Sequence, residues 1–101
     1  MQEAPVLVSH SRVREFISRI LGALGMPPHI VEPTARLMVG TDLRGVDSHG
    51  IGMLPRYVDW TRDGFVDLAA EPKTVRDDLA TALLDGQKGL GYYPSTLAME
   101  M

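Results

Sequence analysis

The chain has 101 residues, of which 45% are hydrophobic and 23% charged, with a net charge of −3 and no cysteine. A chain of this size forms one domain or part of one, and its acidic balance argues against a protein that binds nucleic acid through a basic surface. The lack of cysteine excludes disulfides and a thiolate nucleophile, and it fits a cytoplasmic protein. The short acidic N-terminus does not resemble a signal peptide, and no apolar run approaches the roughly 20 residues of a membrane span, so no membrane partner is expected.

The first predicted element is an amphipathic helix over residues 11–24. Ser11 is its candidate N-cap, and Gly25 can supply a left-handed residue after its end, where Pro27 and Pro28 forbid continuation. Apolar side chains recur with helical spacing and predict one buried face, made of Val13, Phe16, Ile17, Ile20, Leu21 and Leu24.

A second helix is predicted from about Pro33 to Arg44. Proline suits the first helical position because its missing N–H has no partner there. Gly45 is a stop signal, so the segment after it begins directly at the C-terminus of a helix. The buried face of this helix is expected to contain Val31, Ala35, Met38 and Val39.

A third helix is predicted to end near Gly64, with Asp47 or Ser48 as its candidate N-cap. Because Pro55 lies inside the pattern, two arrangements remain open: the helix kinks there, or residues 49–54 form a separate turn and Pro55 starts the helix. The expected buried stripe consists of Ile51, Leu54, Val58 and Thr61.

After residue 64 the pattern favours a short β-hairpin followed by a last helix. Residues 74–76 and 80–84 are strand candidates, with a turn at residues 77–78. Pro94 opens the last helix, which has no stop signal, as is typical of a truncated chain. One face of that helix is expected to carry Leu97, Ala98 and Met101.

Residues 42–57 concentrate proton-transfer groups around glycines. His49 is the leading candidate for an acid or base, because imidazole titrates at about pH 6.5 and the neighbouring glycines would leave it accessible. The alternative is that His49 only occupies a first helical turn. Ser48 could orient His49 or bind a substrate oxygen, and the alternative is that it caps a helix. His10 and His29 are expected to be solvated surface residues.

Arg44, Arg56 and Tyr57 are candidates for holding a carboxylate. A guanidinium matches carboxylate geometry through two parallel N–H donors. The alternative for the arginines is a surface ion pair with Asp42 or Asp59, and for Tyr57 it is a half-buried packing role.

Other kinds of site have little support. Residues 50–52 follow a predicted helix rather than a strand, and they fail the dinucleotide-binding fingerprint. Residues 86–91 have the wrong spacing for that fingerprint and indicate a tight turn. The acidic residues and histidine within 42–49 match no metal-ligand spacing, so no metal is expected.

The stretch that contains these candidates resembles the malate/L-lactate dehydrogenase type-2 family. The family pattern Ala-Asp-Leu-Arg-Gly-x-Asp-Ser-His-Gly corresponds to residues 41–50, and the following Leu-Pro-x-Tyr-Val corresponds to residues 54–58. Residues 85–91 resemble the family's later Asp-Gly…Gly-x-Gly turn, and residues 98–100 resemble the start of its next helix. The resemblance spans most of residues 11–101.

The resemblance implies an NAD(P)-dependent oxidoreductase that interconverts 2-hydroxy acids and 2-oxo acids, or reduces related imines, as a homodimer. It implies an α/β fold that is not the Rossmann fold, of which this chain would be the mainly helical N-terminal, substrate-side portion with a short β-hairpin. It also implies that His49 is the proton donor, that Ser48 belongs to its relay and that Tyr57 lines the substrate side. The choice between NAD and NADP stays open, and no cofactor-binding residue is assigned because the family's cofactor segments lie beyond residue 101. This chain alone is therefore expected to be inactive.

One family residue is replaced in this chain. Many members carry an arginine four residues after the histidine to hold the substrate carboxylate, and that position is Met53. Arg56, which lies on a similar helical face, or Arg44 would have to replace it. The alternative to an enzyme is a non-catalytic helical module for dimerisation or interaction, and the coding sequence after residue 101 would separate the two.

Overall fold

The computed structural model describes residues 6–101. Four helices and one two-stranded antiparallel hairpin make up its regular structure, which confirms the predicted mainly helical chain with a short hairpin. The helices are α1 (His10–Ala23), α2 (Pro28–Leu43), α3 (Leu54–Arg62) and α4 (Tyr92–Glu100), and the strands are β1 (Lys73–Asp77) and β2 (Ala82–Asp85).

The N-cap of α1 is Ser9, and the prediction of Ser11 is wrong. Ser9 has an extended backbone, and its hydroxyl accepts a hydrogen bond from the Arg12 N–H at 3.4 Å. Ser11 lies inside the first turn, where its hydroxyl cannot reach a backbone N–H two or three residues ahead that is still unpaired. Gly25 has φ = 104° and ends the helix as predicted.

The buried face of α1 is narrower than the apolar pattern indicated. Ile17 and Leu21 are fully buried, but Phe16 is 53% exposed, so its assignment to the buried face is wrong. Its neighbour Ile17 takes the centre of the face, and Phe16 is turned toward a groove that Leu54 and Val58 of α3 also line.

α2 begins at Pro28, five residues before the predicted start at Pro33. Pro28 satisfies the same rule, because it stands in the first turn where its missing N–H costs nothing. Pro33 lies inside the helix, where it gives up one backbone hydrogen bond, and its ring is buried. Burial of apolar surface offsets that loss, so the proline is tolerated in the helix.

The hydrophobic core lies between α1, α2 and α3. Tyr57, which the sequence suggested as half-buried, is a core residue with 7% exposure. Among the residues that the structure describes after position 64, only Leu68 belongs to the buried cluster. The buried members are Ile17, Leu21, Met26, Ile30, Ala35, Met38, Val39, Leu54, Tyr57 and Leu68.

The hairpin is exposed, and its turn lies later than predicted. β1 pairs with β2 from Lys73 opposite Asp85 to Asp77 opposite Ala82, with an irregular register in between. A hydrogen bond of 2.8 Å from the Asp78 N–H to the Thr81 carbonyl closes the turn, so Asp77 ends a strand instead of starting the turn.

The last helix begins at Tyr92, two residues before Pro94, which stands in its first turn. None of its residues is buried: Leu97 is half-buried, whereas Ala98 and Met101 are exposed, so the predicted face is only partly covered within the described residues. In the part of the chain that the structure covers, no helix has the length and hydropathy that a membrane crossing requires.

Candidate functional site

The sequence candidates lie mainly in the connection between α2 and α3. Gly45, at φ = 80°, ends α2 as predicted, and two short 3-10 turns follow at Asp47–His49 and Ile51–Met53. α3 then starts at Leu54 with Pro55 in its first turn. The second of the two predicted arrangements is therefore correct, because the proline opens a helix instead of kinking one.

Ser48 and His49 form a hydrogen-bonded pair on this connection. The Ser48 Oγ lies 2.7 Å from His49 Nδ1, and both side chains are exposed. No side-chain cap is formed by Asp47 or Ser48, so the capping role predicted as an alternative is wrong. A partner on Nδ1 fixes the ring orientation and leaves Nε2 to face a ligand.

The carboxylate of Asp42 lies against Gly50, the residue that follows the Ser48–His49 pair. Its Oδ2 accepts a hydrogen bond of 2.8 Å from the Ile51 N–H. A Cβ added to Gly50 would lie closer than 3.0 Å to the Asp42 carboxylate, which real Cβ atoms essentially never do. Gly50 is therefore required by this close approach.

Tyr57 contacts the last helix through its hydroxyl. The hydroxyl oxygens of Tyr57 and Tyr92 lie 2.8 Å apart, and the rings meet edge to face with centroids 6.2 Å apart. Burial, the hydrogen bond to Tyr57 and the nearby negative charge of Asp42 raise the pKa of Tyr92 well above its usual range, so its hydroxyl stays protonated. Both tyrosines line a cavity of about 390 Å³, together with Leu37, Gly91 and Ser95.

Arg44 and Arg56 are exposed, on either side of the Ser48–His49 pair along the chain. Within residues 6–101, neither forms an ion pair with a carboxylate, so the alternative of a surface pair with Asp42 or Asp59 is not realised there. Met53 is half-buried and packs against the core, where it cannot hold a substrate carboxylate.

The glycine-rich turn before α4 does not fit the phosphates of a nicotinamide cofactor. Such a cradle needs open backbone N–H donors at a helix N-terminus. A Cβ on Gly89 would lie 3.2 Å from the Gly86 carbonyl and 3.5 Å from the Ala70 Cβ, so the glycine serves contacts within the chain. Two N–H donors of the turn are engaged within the chain: that of Gln87 donates to the Asp85 carboxylate at 2.9 Å, and that of Gly89 donates to the Gly86 carbonyl at 3.0 Å.

Among the residues that are described, no group of three or more His, Cys, Asp or Glu side chains is placed to hold a metal ion. His29, expected as solvated surface, pairs with Glu71 and meets the ring of Tyr93 edge to face.

Sequence reasoning missed two residues of this region. No local pattern connects Tyr92 with Tyr57, which lies 35 positions away, so only the tertiary structure reveals their contact. Asp42 had a usable signal, because an acidic residue in the last turn of a helix is electrostatically unfavourable and needs a specific partner.

Solved structures with a similar fold include named dehydrogenases. Malate dehydrogenase from Pyrococcus horikoshii superposes with a TM-score of 0.87 at 38% identity, covering 94% of this chain and 27% of that one. Sulfolactate dehydrogenase from Methanocaldococcus jannaschii gives a TM-score of 0.89 at 33% identity, covering 94% of this chain and 28% of that one. These matches confirm the expected fold.

The sequence comparisons define the family. The malate/L-lactate dehydrogenase family matches residues 8–101, and the chain belongs to it. Malate dehydrogenase of P. horikoshii is 37% identical over 101 residues, which are 100% of this chain and 28% of that protein. Hydroxycarboxylate dehydrogenase B of Escherichia coli is 30% identical over 89 residues, or 88% of this chain and 25% of that protein. The chain thus spans little more than a quarter of these relatives, in their N-terminal part.

Proposed function

We propose that this chain is the N-terminal, substrate-side part of an NAD(P)-dependent oxidoreductase that interconverts 2-hydroxy acids and 2-oxo acids. The observation that carries the proposal is the exposed imidazole of His49, held at Nδ1 by the Ser48 hydroxyl at 2.7 Å. The printed names of the relatives support the substrate class, since they are malate, sulfolactate and hydroxycarboxylate dehydrogenases.

In this proposal His49 donates the proton and Ser48 orients it. Reduction of a 2-oxo acid places negative charge on the carbonyl oxygen, and a positioned acid must neutralise it. In the imidazolium form, the Nδ1–H of His49 donates to the Ser48 Oγ and the Nε2 proton goes to the substrate oxygen. The neutral ring that remains keeps the same Nδ1–H bond, so the proton transfer needs no rearrangement of the ring. Oxidation of the hydroxy acid uses the same path in reverse.

The substrate carboxylate is assigned to an exposed guanidinium. Arg56 stands in α3, three residues after Met53, and within the described residues it has no carboxylate partner to compete with a ligand. Arg44 is the second candidate. Tyr57 contributes the wall of the cavity that it shares with Tyr92.

The cofactor, NAD or NADP, is proposed on the family resemblance, which puts the cofactor segments beyond residue 101, so no cofactor-binding residue is assigned among those described here. A homodimer is likewise proposed on the resemblance, and a cytoplasmic location on the cysteine-free composition.

The test is to express the full reading frame that contains residues 1–101 and to assay it with NADH and NADPH. Turnover is expected with 2-oxo acids, and matched ketones that lack the carboxylate are expected to react far more slowly. Absence of turnover on every 2-oxo acid with both cofactors would contradict the proposed function and favour a non-catalytic module.

A further inference from the structure

Asp42 occupies a position that helix electrostatics disfavours. It stands in the last turn of α2, where the partial negative charge of the helix end opposes a carboxylate. Within residues 6–101 no Lys, Arg or His lies within ion-pair distance of it. Its carboxylate instead accepts the Ile51 N–H at 2.8 Å, across a separation of nine residues. The role of this side chain therefore concerns the connection that follows the helix.

Asp42 contacts both ends of that connection. Its main-chain carbonyl accepts the Gly45 N–H at 2.9 Å, and its side chain accepts the N–H of Ile51. Between these two bonds lies the turn Asp47–His49, in which no side chain is buried. Apolar packing therefore does not hold the turn, and its position depends on the polar contacts at its two ends.

Gly50 makes room for this arrangement. It is buried, and any Cβ there would overlap the oxygens and the Cγ of the Asp42 carboxylate. The carboxylate thus fills the space that a side chain at position 50 would occupy, directly after His49.

We propose that Asp42 is the positioning residue of the His49 turn: its carboxylate, seated against Gly50 and bonded to the Ile51 N–H, fixes the backbone that carries the imidazole. It touches no reacting atom and acts through His49. The catalytic consequence rests on the proposed function, whereas the placement of the imidazole can be tested without it.

The experiment uses the full-length protein that contains this chain, with two readouts. One is the steady-state kcat and KM for a 2-oxo acid, and the other is the set of ¹H and ¹⁵N NMR shifts of the His49 ring. Asp42→Ala is expected to shift the ring resonances and to lower kcat by about 10-fold to 10²-fold with a smaller change in KM, because a displaced acid is poorly aligned. Asp42→Asn keeps an oxygen acceptor for the Ile51 N–H. It is therefore expected to have a kcat and His49 ring shifts close to those of the wild type. Asp63→Ala, at the exposed end of α3, is the matched control and is expected to match the wild type.

A double-mutant comparison tests the contact with Gly50. Gly50→Ala forces the carboxylate away and strains the turn, so it is expected to lower kcat clearly more than Asp42→Ala does. Adding Asp42→Ala to it removes the overlapping atoms, so the double variant is expected to recover to the level of Asp42→Ala alone. If Asp42→Ala does not fold, Asp42→Ser, whose hydroxyl lacks the reach of the carboxylate oxygen, replaces it as the single variant with the same expected outcomes. It is not combined with Gly50→Ala, because its Oγ would stand where the Asp42 Cγ overlaps a Cβ at position 50.

Two results would overturn the inference. One is an Asp42→Ala protein with wild-type kcat and unmoved His49 resonances. The other is a double variant, Gly50→Ala with Asp42→Ala, whose kcat is as low as that of Gly50→Ala alone. If the wild-type protein turns over no 2-oxo acid, the proposed function fails, and the His49 resonances alone decide whether Asp42 positions the ring.

Discussion

The core between α1 and α2 and the turn Asp47–His49 are held in place by different forces. Ile17, Leu21 and Met38 are fully buried in the core, so apolar burial fixes the helices. No side chain of the turn is buried, and its position depends on backbone hydrogen bonds and on the carboxylate of Asp42. The difference implies that core substitutions change mainly the free energy of unfolding, whereas under the proposed function substitutions in the turn change mainly catalysis.

The largest expected effect on stability belongs to the core. Ile17→Ala removes a fully buried side chain and is expected to lower the free energy of unfolding by about 2–5 kcal/mol. Phe16→Ala, at the adjacent and 53% exposed position, is the control and is expected to cost about 0.5 kcal/mol. Urea unfolding of the full-length variants measures both. Equal losses at the two positions would remove the distinction between core and surface on this helix.

The next effect concerns the proposed binding of the substrate carboxylate by Arg56 in α3. Arg56→Ala is expected to raise KM for a 2-oxo acid by about 10-fold to 10²-fold with little change in kcat, because it removes a charged hydrogen bond present in both ground and transition states. Arg62→Ala, on the same helix, is the control and is expected to keep the wild-type KM. A raised KM in Arg44→Ala but not in Arg56→Ala would move the carboxylate site to the other arginine.

The smallest expected effects come from replacing two glycines, Gly22 in α1 and Gly45 just before the turn Asp47–His49. At both Gly22 and Gly45 an added Cβ meets nothing within 4 Å, but only Gly45 has a positive φ, of 80°. Gly22→Ala in α1 is therefore expected to stabilise the protein by about 0.5–1 kcal/mol, and Gly45→Ala to destabilise it by about 1–2 kcal/mol. Thermal melts of the two variants should shift in opposite directions, and shifts of the same sign would contradict this assignment.

Sequence patterns predicted the core better than the turn, for physical reasons. Helical periodicity reports which side chains are buried, so α1 and the buried residues Ala35, Met38 and Val39 of α2 could be located. The start of α2 was misplaced because two prolines, Pro28 and Pro33, both suit a first helical turn, and the buried Ile30 was therefore missed. The roles of His49 and Ser48 rest on residue type and family resemblance and stay a prediction. The bonds from Asp42 to Ile51 and from Tyr57 to Tyr92 depend on how distant segments meet, which no local spacing records.

The most direct test of the account is the steady-state kinetics of His49→Ala in the full-length protein, with His10→Ala as the control. His49→Ala is expected to lower kcat by about 10²-fold or more, because a general acid is lost, while its urea unfolding stays close to that of the wild type. His10, exposed at the start of α1, is expected to be replaceable without loss of kcat. A near-normal kcat in His49→Ala would show that the histidine is structural and would contradict the central assignment.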